Sequence, residues 1–294
     1  MLPELSALAA ALCWSFGGLI AAAPARALGG VIFTRVRMLL VFIMLCAGTL
    51  YTGGWGGLSL DQSLILITSG FTGILLGDVA LFTTLGRLGP RRTAILFACN
   101  APMTALLAWL FLDEVLELHV LIGCLTITAG VICAVALGSD RHNSHHWEQV
   151  RGPLVTGILL GLLAALGQSV GTLIAKPVMS SGVDPVAASA LRVGTAAFGL
   201  QALRLLPVSL WSKTVTLTPQ LLIPIIASGF LGMGLGMTLL LYALAEGEAG
   251  MVATLSSTTP VLVLPLIWIK TGRSPSIGAW LGALLVITGT ALII

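Results

Sequence analysis

The chain has 294 residues, of which 57% are hydrophobic and only 9% charged, with a mean hydropathy of +1.06. A soluble domain carries roughly 25% charged residues to cover its surface, so most of this exterior must face lipid instead. The net charge of +3, carried by basic residues that do not cluster, excludes a nucleic-acid groove.

Apolar stretches near the roughly 20 residues needed to span a bilayer fall at 3–23, 31–50, 62–86, 93–112 and 119–137. They resume at 153–175, 186–206, 220–245, 251–269 and 276–294. The first, Leu5 to Ala23 with Pro24 and Ala25 behind it, has the look of a secretory leader. Its only early charge is Glu4 rather than a basic segment, so a retained first helix is expected. The longest polar segment, Gly138 to Gly152, separates five helices from five and holds His142, His145 and His146. A solvated linker explains this trio more simply than a metal site, and the five cysteines sit in apolar runs with no metal-binding spacing.

The two halves repeat. Ser69, Gly73 and Gly77 in the third stretch recur as Ser228, Gly232 and Gly236 in the eighth, at an offset of 159. Gly123 and Gly130 recur as Gly282 and Gly289 at the same offset. Asn100-Ala101-Pro102 corresponds to Thr258-Thr259-Pro260, one residue out of step, and Arg35-Val36 to Arg192-Val193. A unit of five helices is odd, so its second copy enters the membrane from the opposite side. The expectation is an all-α integral membrane protein of ten transmembrane helices in two inverted five-helix repeats. The repeats run over 1–137 and 153–294, around a polar linker at 138–152. Inverted repeats recur in secondary transporters, where the units swap roles to open a path on alternate sides.

Connections after odd-numbered helices hold ten of the fourteen basic residues: Arg26, Arg87, Arg91, Arg92, Arg141, Arg151, Arg204, Lys213, Lys270 and Arg273. Connections after even-numbered helices hold Lys176 and acids such as Asp113, Glu114, Glu117, Glu246 and Glu248. The excess of positive charge predicts odd connections in the cytoplasm and both termini outside, in a cell (inner) membrane.

Asp78 is the sharpest single residue, because an ionised carboxylate inside a membrane helix costs a few kcal/mol or more. One reading makes it a proton- or cation-accepting group facing a cavity; the other, a buried acid paired with a neighbouring arginine. An acid withdrawn from water can exchange a proton for a cationic solute. Its repeat position is Met237, so such a site is asymmetric. Arg35 and Arg192 lie a turn or two inside their helices, where they snorkel to lipid phosphates, latch a gate, or meet a substrate carboxylate. Arg37 reads as a simple interface anchor. Pro102 and Pro260 are expected to kink the fourth and ninth helices and to serve as hinges. The Ser69 and Ser228 ladders of small residues read as close-packing surfaces.

The chain resembles the drug/metabolite transporter superfamily, specifically its ten-helix EamA-type members. The likeness rests on Leu12-Cys13-Trp14-Ser15, Leu191-Arg192, and the tract from Leu88-Gly89-Pro90 through Asn100-Ala101-Pro102. Asp113-Glu114, Ile122-Gly123 and Ala129-Gly130 continue it, while Thr271-Gly272 stands where an acidic pair would be expected. The resemblance implies export or exchange of amino acids, drugs or other metabolites, through a cavity lined by helices 1, 3, 4, 6, 8 and 9. On those helices the candidate substrate-binding residues beside Asp78 are Trp14, Ser15, Asn100, Gln168, Ser169, Tyr242, Ser257 and Thr258. The expected partners are a small-molecule substrate, the lipid bilayer and a coupling proton, with no cofactor, metal or nucleic acid. A small metabolite such as an amino acid comes first; a lipophilic cation, held by Asp78 and the Trp14 face, comes second.

Other chemistries fail on context. Gly167-Gln168-Ser169-Val170-Gly171 matches a hydrolase elbow in letters, yet it lies within a helical stretch. Gly232-Met233-Gly234-Leu235-Gly236 follows no strand, so it is not a dinucleotide fingerprint. No GxxxxGK[ST] occurs, and no convincing catalytic pair supports an intramembrane enzyme. A non-transporting receptor would more often carry a soluble domain.

Overall fold

The computed structural model describes residues 2–112, 117–137, 150–203, 217–272 and 274–293. Asp113, Glu114, residues 138–149 with their three histidines, Arg204, Lys213 and Arg273 lie outside the described residues.

Among the described residues the chain is helical throughout, in ten successive rods. We number them α1 (Leu2–Leu28), α2 (Gly30–Thr52), α3 (Leu60–Leu88), α4 (Pro90–Phe111) and α5 (Leu118–Leu137). The second half supplies α6 (Leu154–Ser180), α7 (Pro185–Leu203) and α8 (Pro219–Glu246). It ends with α9 (Ala249–Ser256 and Thr259–Thr271) and α10 (Ile277–Ile293). Eight of these are long and apolar enough to cross a membrane. Local chemistry sets several boundaries. Ser59 and Gln62 close a reciprocal capping box at the start of α3. Gly89, at φ +82°, ends α3 in a conformation that favours glycine, and Pro90 opens α4 where its missing N–H is no loss.

The repeat is visible in these boundaries. α3 and α8, α4 and α9, and α5 and α10 begin 159 residues apart: Leu60 and Pro219, Pro90 and Ala249, Leu118 and Ile277. Both α3 and α8 contain a π-helical turn, at Phe71–Leu76 and Phe230–Gly236. Both α4 and α9 are interrupted, between Phe97 and Asn100 and between Ser256 and Thr259. Asn100 therefore matches Thr259 at the same offset, and the one-residue slip seen in the sequence belongs to the prolines alone. Pro102 and Pro260 each sit in the first turn after the interruption. α2 and α7 begin 155 residues apart, at Gly30 and Pro185, which aligns Arg192 with Arg37 rather than with Arg35. The Arg-Val dipeptide match was a coincidence of register.

The halves are inverted. Along α5 and α10, Gly130 approaches the Gly282 carbonyl while Gly289 approaches the Gly123 carbonyl, so the two helices run antiparallel. α2 and α7 do the same: Gly48 faces Val186, while Phe42 packs on Gly194 and stacks edge-on against Phe198 at 5.2 Å. Equivalent helices that meet antiparallel require a pseudo-two-fold axis across the bundle.

Close approach is what the glycine ladders supply. Gly73 of α3 lies against Gly171 of α6, and Ser69 Oγ donates to the Gly171 carbonyl at 2.5 Å. In the mirrored contact Gly17 of α1 lies against Gly232 of α8. A methyl at Gly171 would stand 2.7 Å from the Gly73 Cα, whereas one at Gly18 meets nothing within 4 Å. Gly171→Ala is expected to destabilise the bundle by about 1–3 kcal/mol, the usual cost of overpacking a tight core. Gly18→Ala is expected to be neutral, as a comparison of thermal unfolding in detergent will show.

Candidate functional site

Among the described residues three charged side chains are buried inside the bundle. Arg37 on α2 and Asp78 on α3 are each 3% exposed, and Arg192 on α7 is fully buried. Arg37 Nη1 donates to Asp78 Oδ2 at 3.2 Å, and its Nη2 donates to the Ser228 carbonyl of α8 at 3.1 Å. Its guanidinium also covers the Phe82 ring, 4.6 Å from the centroid. In hydrocarbon an unpaired charge is costly, and this set of partners offsets that cost for one arginine and one acid. Arg37 is thus no interface anchor. Its position seven residues into α2, read with the 155 offset of the helix starts, is the signal that identifies it.

Arg192 occupies the mirrored place. Both arginines lie against a glycine ladder of the opposite half, Arg37 against Gly229 and Gly232, Arg192 against Gly70 and Gly73. Arg192 does not snorkel, being wholly enclosed. Its Nη1 donates to the Met237 thioether at 3.2 Å, and its Nε and Nη2 find no hydrogen-bond partner. Arg35 is half-buried on α2.

Around Arg37 and Asp78 the helices leave a cavity of about 90 Å³. Its lining includes Trp14, Gln168, Gly232, Met233, Met237 and Thr259. The glycines of α1 and α8 bring backbone to its edge, and Trp14 Nε1 donates to the Gly232 carbonyl at 2.9 Å. Leu81, Leu85, Pro90, Thr93 and Phe97 extend the lining toward the α3–α4 turn. The mirrors of the first four, Leu240, Leu244, Ala249 and Val252, lie in the packed hydrophobic core and line no part of the cavity. On that side Lys176 Nζ donates to the Leu244 and Gly247 carbonyls at 3.0 and 2.8 Å, tying α6 to the end of α8. The hollow is therefore one-sided.

The expected binding residues divide into three groups. Asp78, Trp14 and Gln168 line the cavity together. Ser15, Asn100, Ser169 and Ser257 are buried beside it in hydrogen bonds between helices. Ser169 Oγ donates to the Asn100 carbonyl at 3.0 Å, and its mirror Ser15 Oγ donates to the Thr259 carbonyl at 3.4 Å. Ser257 Oγ donates to Asn100 Oδ1 at 3.3 Å, which joins α9 to α4. Thr258 is half-buried and donates to the Leu255 carbonyl, and its neighbour Thr259 reaches the lining in its place. Tyr242 corrects the expectation outright: it is 39% exposed, on an outer face of α8. Sequence reasoning did not foresee Arg37, Thr259 or Lys176 as parts of the site.

The chain matches the EamA-like transporter family model over residues 1–136 and again over 155–294. No curated protein matches it. A solved structure described as "Crystal structure of protein" shares its fold, with a TM-score of 0.74 at 18% sequence identity, over 99% of this chain and 95% of the other. The chain belongs to the EamA-like transporter family, and the protein is a multi-pass membrane transporter.

Breaking a buried ion pair from one side leaves an uncompensated charge, typically at a cost of about 3–5 kcal/mol, whereas removing both partners costs less. Arg37→Met and Asp78→Leu are each expected to lower thermal stability by that order. The double variant Arg37→Met/Asp78→Leu is expected to lie closer to wild type than either, and a double-mutant cycle in detergent measures the coupling.

Proposed function

Taking membership of the EamA-like transporter family as the premise, we propose that the protein is a secondary carrier. It moves a small metabolite, an amino acid or a solute of that size, by alternating access between its inverted repeats. The observation that carries this reading is the one-sided hollow. Residues on the α3–α4 side line the hollow, whereas their mirrors pack in the core without lining it, as two halves that exchange roles would do. Asp78 meets both Arg37 and the hollow, so a proton arriving there weakens an ion pair between α2 and α3 at the point where solute enters. That links proton uptake to helix separation.

Size and charge narrow the solute. At about 90 Å³ the hollow is small beside the roughly 300–1,000 Å³ of sites for drug-sized ligands. Two arginines against one carboxylate also disfavour a lipophilic cation, although Trp14 in the lining offers such a cation a ring face. The basic loops favour a cytoplasmic α3–α4 end; on this reading the hollow faces inward, and export is the direction that the family resemblance implies.

In proteoliposomes, Asp78→Asn is expected to lower flux driven by a pH gradient at least tenfold while leaving solute exchange at equal pH within about twofold. Unchanged pH-driven flux removes Asp78 from coupling. Orientation is checked separately in cells. In a background without native cysteines, Gly56→Cys between α2 and α3 should react with an impermeant maleimide added outside, and Val150→Cys only after the cells are opened. The reverse pattern inverts the topology.

A further inference from the structure

The repeat sets two arginine sites side by side, and one of them lacks its acid. Arg37 and Arg192 are repeat partners at an offset of 155, and Asp78 and Met237 at an offset of 159. At the first site Arg37 meets the Asp78 carboxylate, the Ser228 carbonyl and the Phe82 ring. At the second, Met237 stands where the carboxylate would be and Leu241 where the ring would be. A thioether is a weak acceptor and carries no charge. Arg192, fully buried, is left with two of its three guanidinium nitrogens unpartnered. The cluster as a whole holds two guanidinium charges and one carboxylate.

Met237 is also the wall between that arginine and the hollow. It lines the cavity and accepts the Arg192 Nη1 bond. Methionine is flexible and moves at low cost. A solute in the hollow therefore needs to displace only one side chain to reach a buried, partly unsatisfied guanidinium.

We propose that the transported solute carries a carboxylate, which binds Arg192 in the place that Asp78 takes at Arg37, displacing the Met237 thioether. The solute completes the symmetry of the ion pairs. A carboxylate is favoured over other anions because the mirrored site already accommodates one within the same helix framework. Two oxygens in a plane also match the guanidinium fork. The inference rests on the carrier reading only in that the ligand arrives through the hollow; binding itself is measured apart from transport.

The test is thermal stability of the purified full chain in detergent, titrated at constant ionic strength with acetate, propionate and butyrate. The matching amides, butylamine and chloride serve as comparators. Wild type is expected to be stabilised in a saturable way by the carboxylates, and at least tenfold more weakly by every comparator. Met237→Leu should keep that response, because it removes only the thioether. Met237→Asp builds the missing ion pair into the chain. It should unfold at a higher temperature than wild type without ligand, and the carboxylate response should weaken at least tenfold. Arg192→Gln should lose the response, but Met237→Asp decides the matter because its fold is expected to gain stability.

The proposal is overturned if wild type responds to amides or chloride as strongly as to carboxylates, or to none of the probes. It is equally overturned if Met237→Asp keeps the wild-type response. A protein that binds carboxylates with this pattern and moves no solute across a bilayer keeps the site and loses the carrier. One that carries a solute without a carboxylate, and shows no carboxylate response, does the reverse.

Discussion

Charge inside a lipid-embedded bundle must be matched within the bundle, and the ion pair of Arg37 and Asp78 is where this protein meets that demand. The pair joins α2 to α3, and the second nitrogen of the same guanidinium reaches the Ser228 carbonyl of α8, in the other repeat. One side chain thus bonds both halves at the edge of the hollow. Its close fit depends on glycine: Gly229 and Gly232 leave the space against which Arg37 lies, as Gly70 and Gly73 do for Arg192. In water such residues would mainly weaken a helix. In this setting small residues let backbones and large polar side chains share one layer.

The inverted repeat then explains why the site is lopsided although the framework is not. Helix starts, π turns and interruptions coincide from one half to the other. Side chains at matching positions do not: aspartate faces methionine, phenylalanine faces leucine, and Lys176 has Ala22 as its mirror at the 154 offset that relates Trp14 to Gln168. A symmetric scaffold can be traversed from either end, while unequal residues decide what it carries and where the proton acts.

Much of this was legible in the residues. The repeat came from Ser69, Gly73 and Gly77 against Ser228, Gly232 and Gly236, because small residues at fixed spacing are a packing requirement and packing here is common to both halves. Asp78 stood out because a carboxylate is conspicuous in an apolar helix. The mistakes have a shared cause. From sequence Arg37 reads as an anchor and Arg35 as the partner of Arg192, since the offset between helix starts differs, 159 for α3/α8 and 155 for α2/α7, and a dipeptide match cannot sense that. Tyr242 shares a helix with the lining, yet its angle about that helix turns it outward. The π turns run through the ladders just ahead of Asp78 and Met237, and they alter every such angle beyond them without leaving a mark in apolar periodicity.

Those π turns carry a further implication. A helix containing one accommodates an extra residue in a given length. Should that slack be taken up as ordinary α-helix, everything beyond it would swivel by about 100° and slide by about 1.5 Å, the screw motion of a single residue. Asp78 and Met237 are the first side chains after the turns in α3 and α8 that border the hollow. In each half, a change of pitch worth one residue would swing that side chain into or out of the path, with the part of the helix before the turn held still.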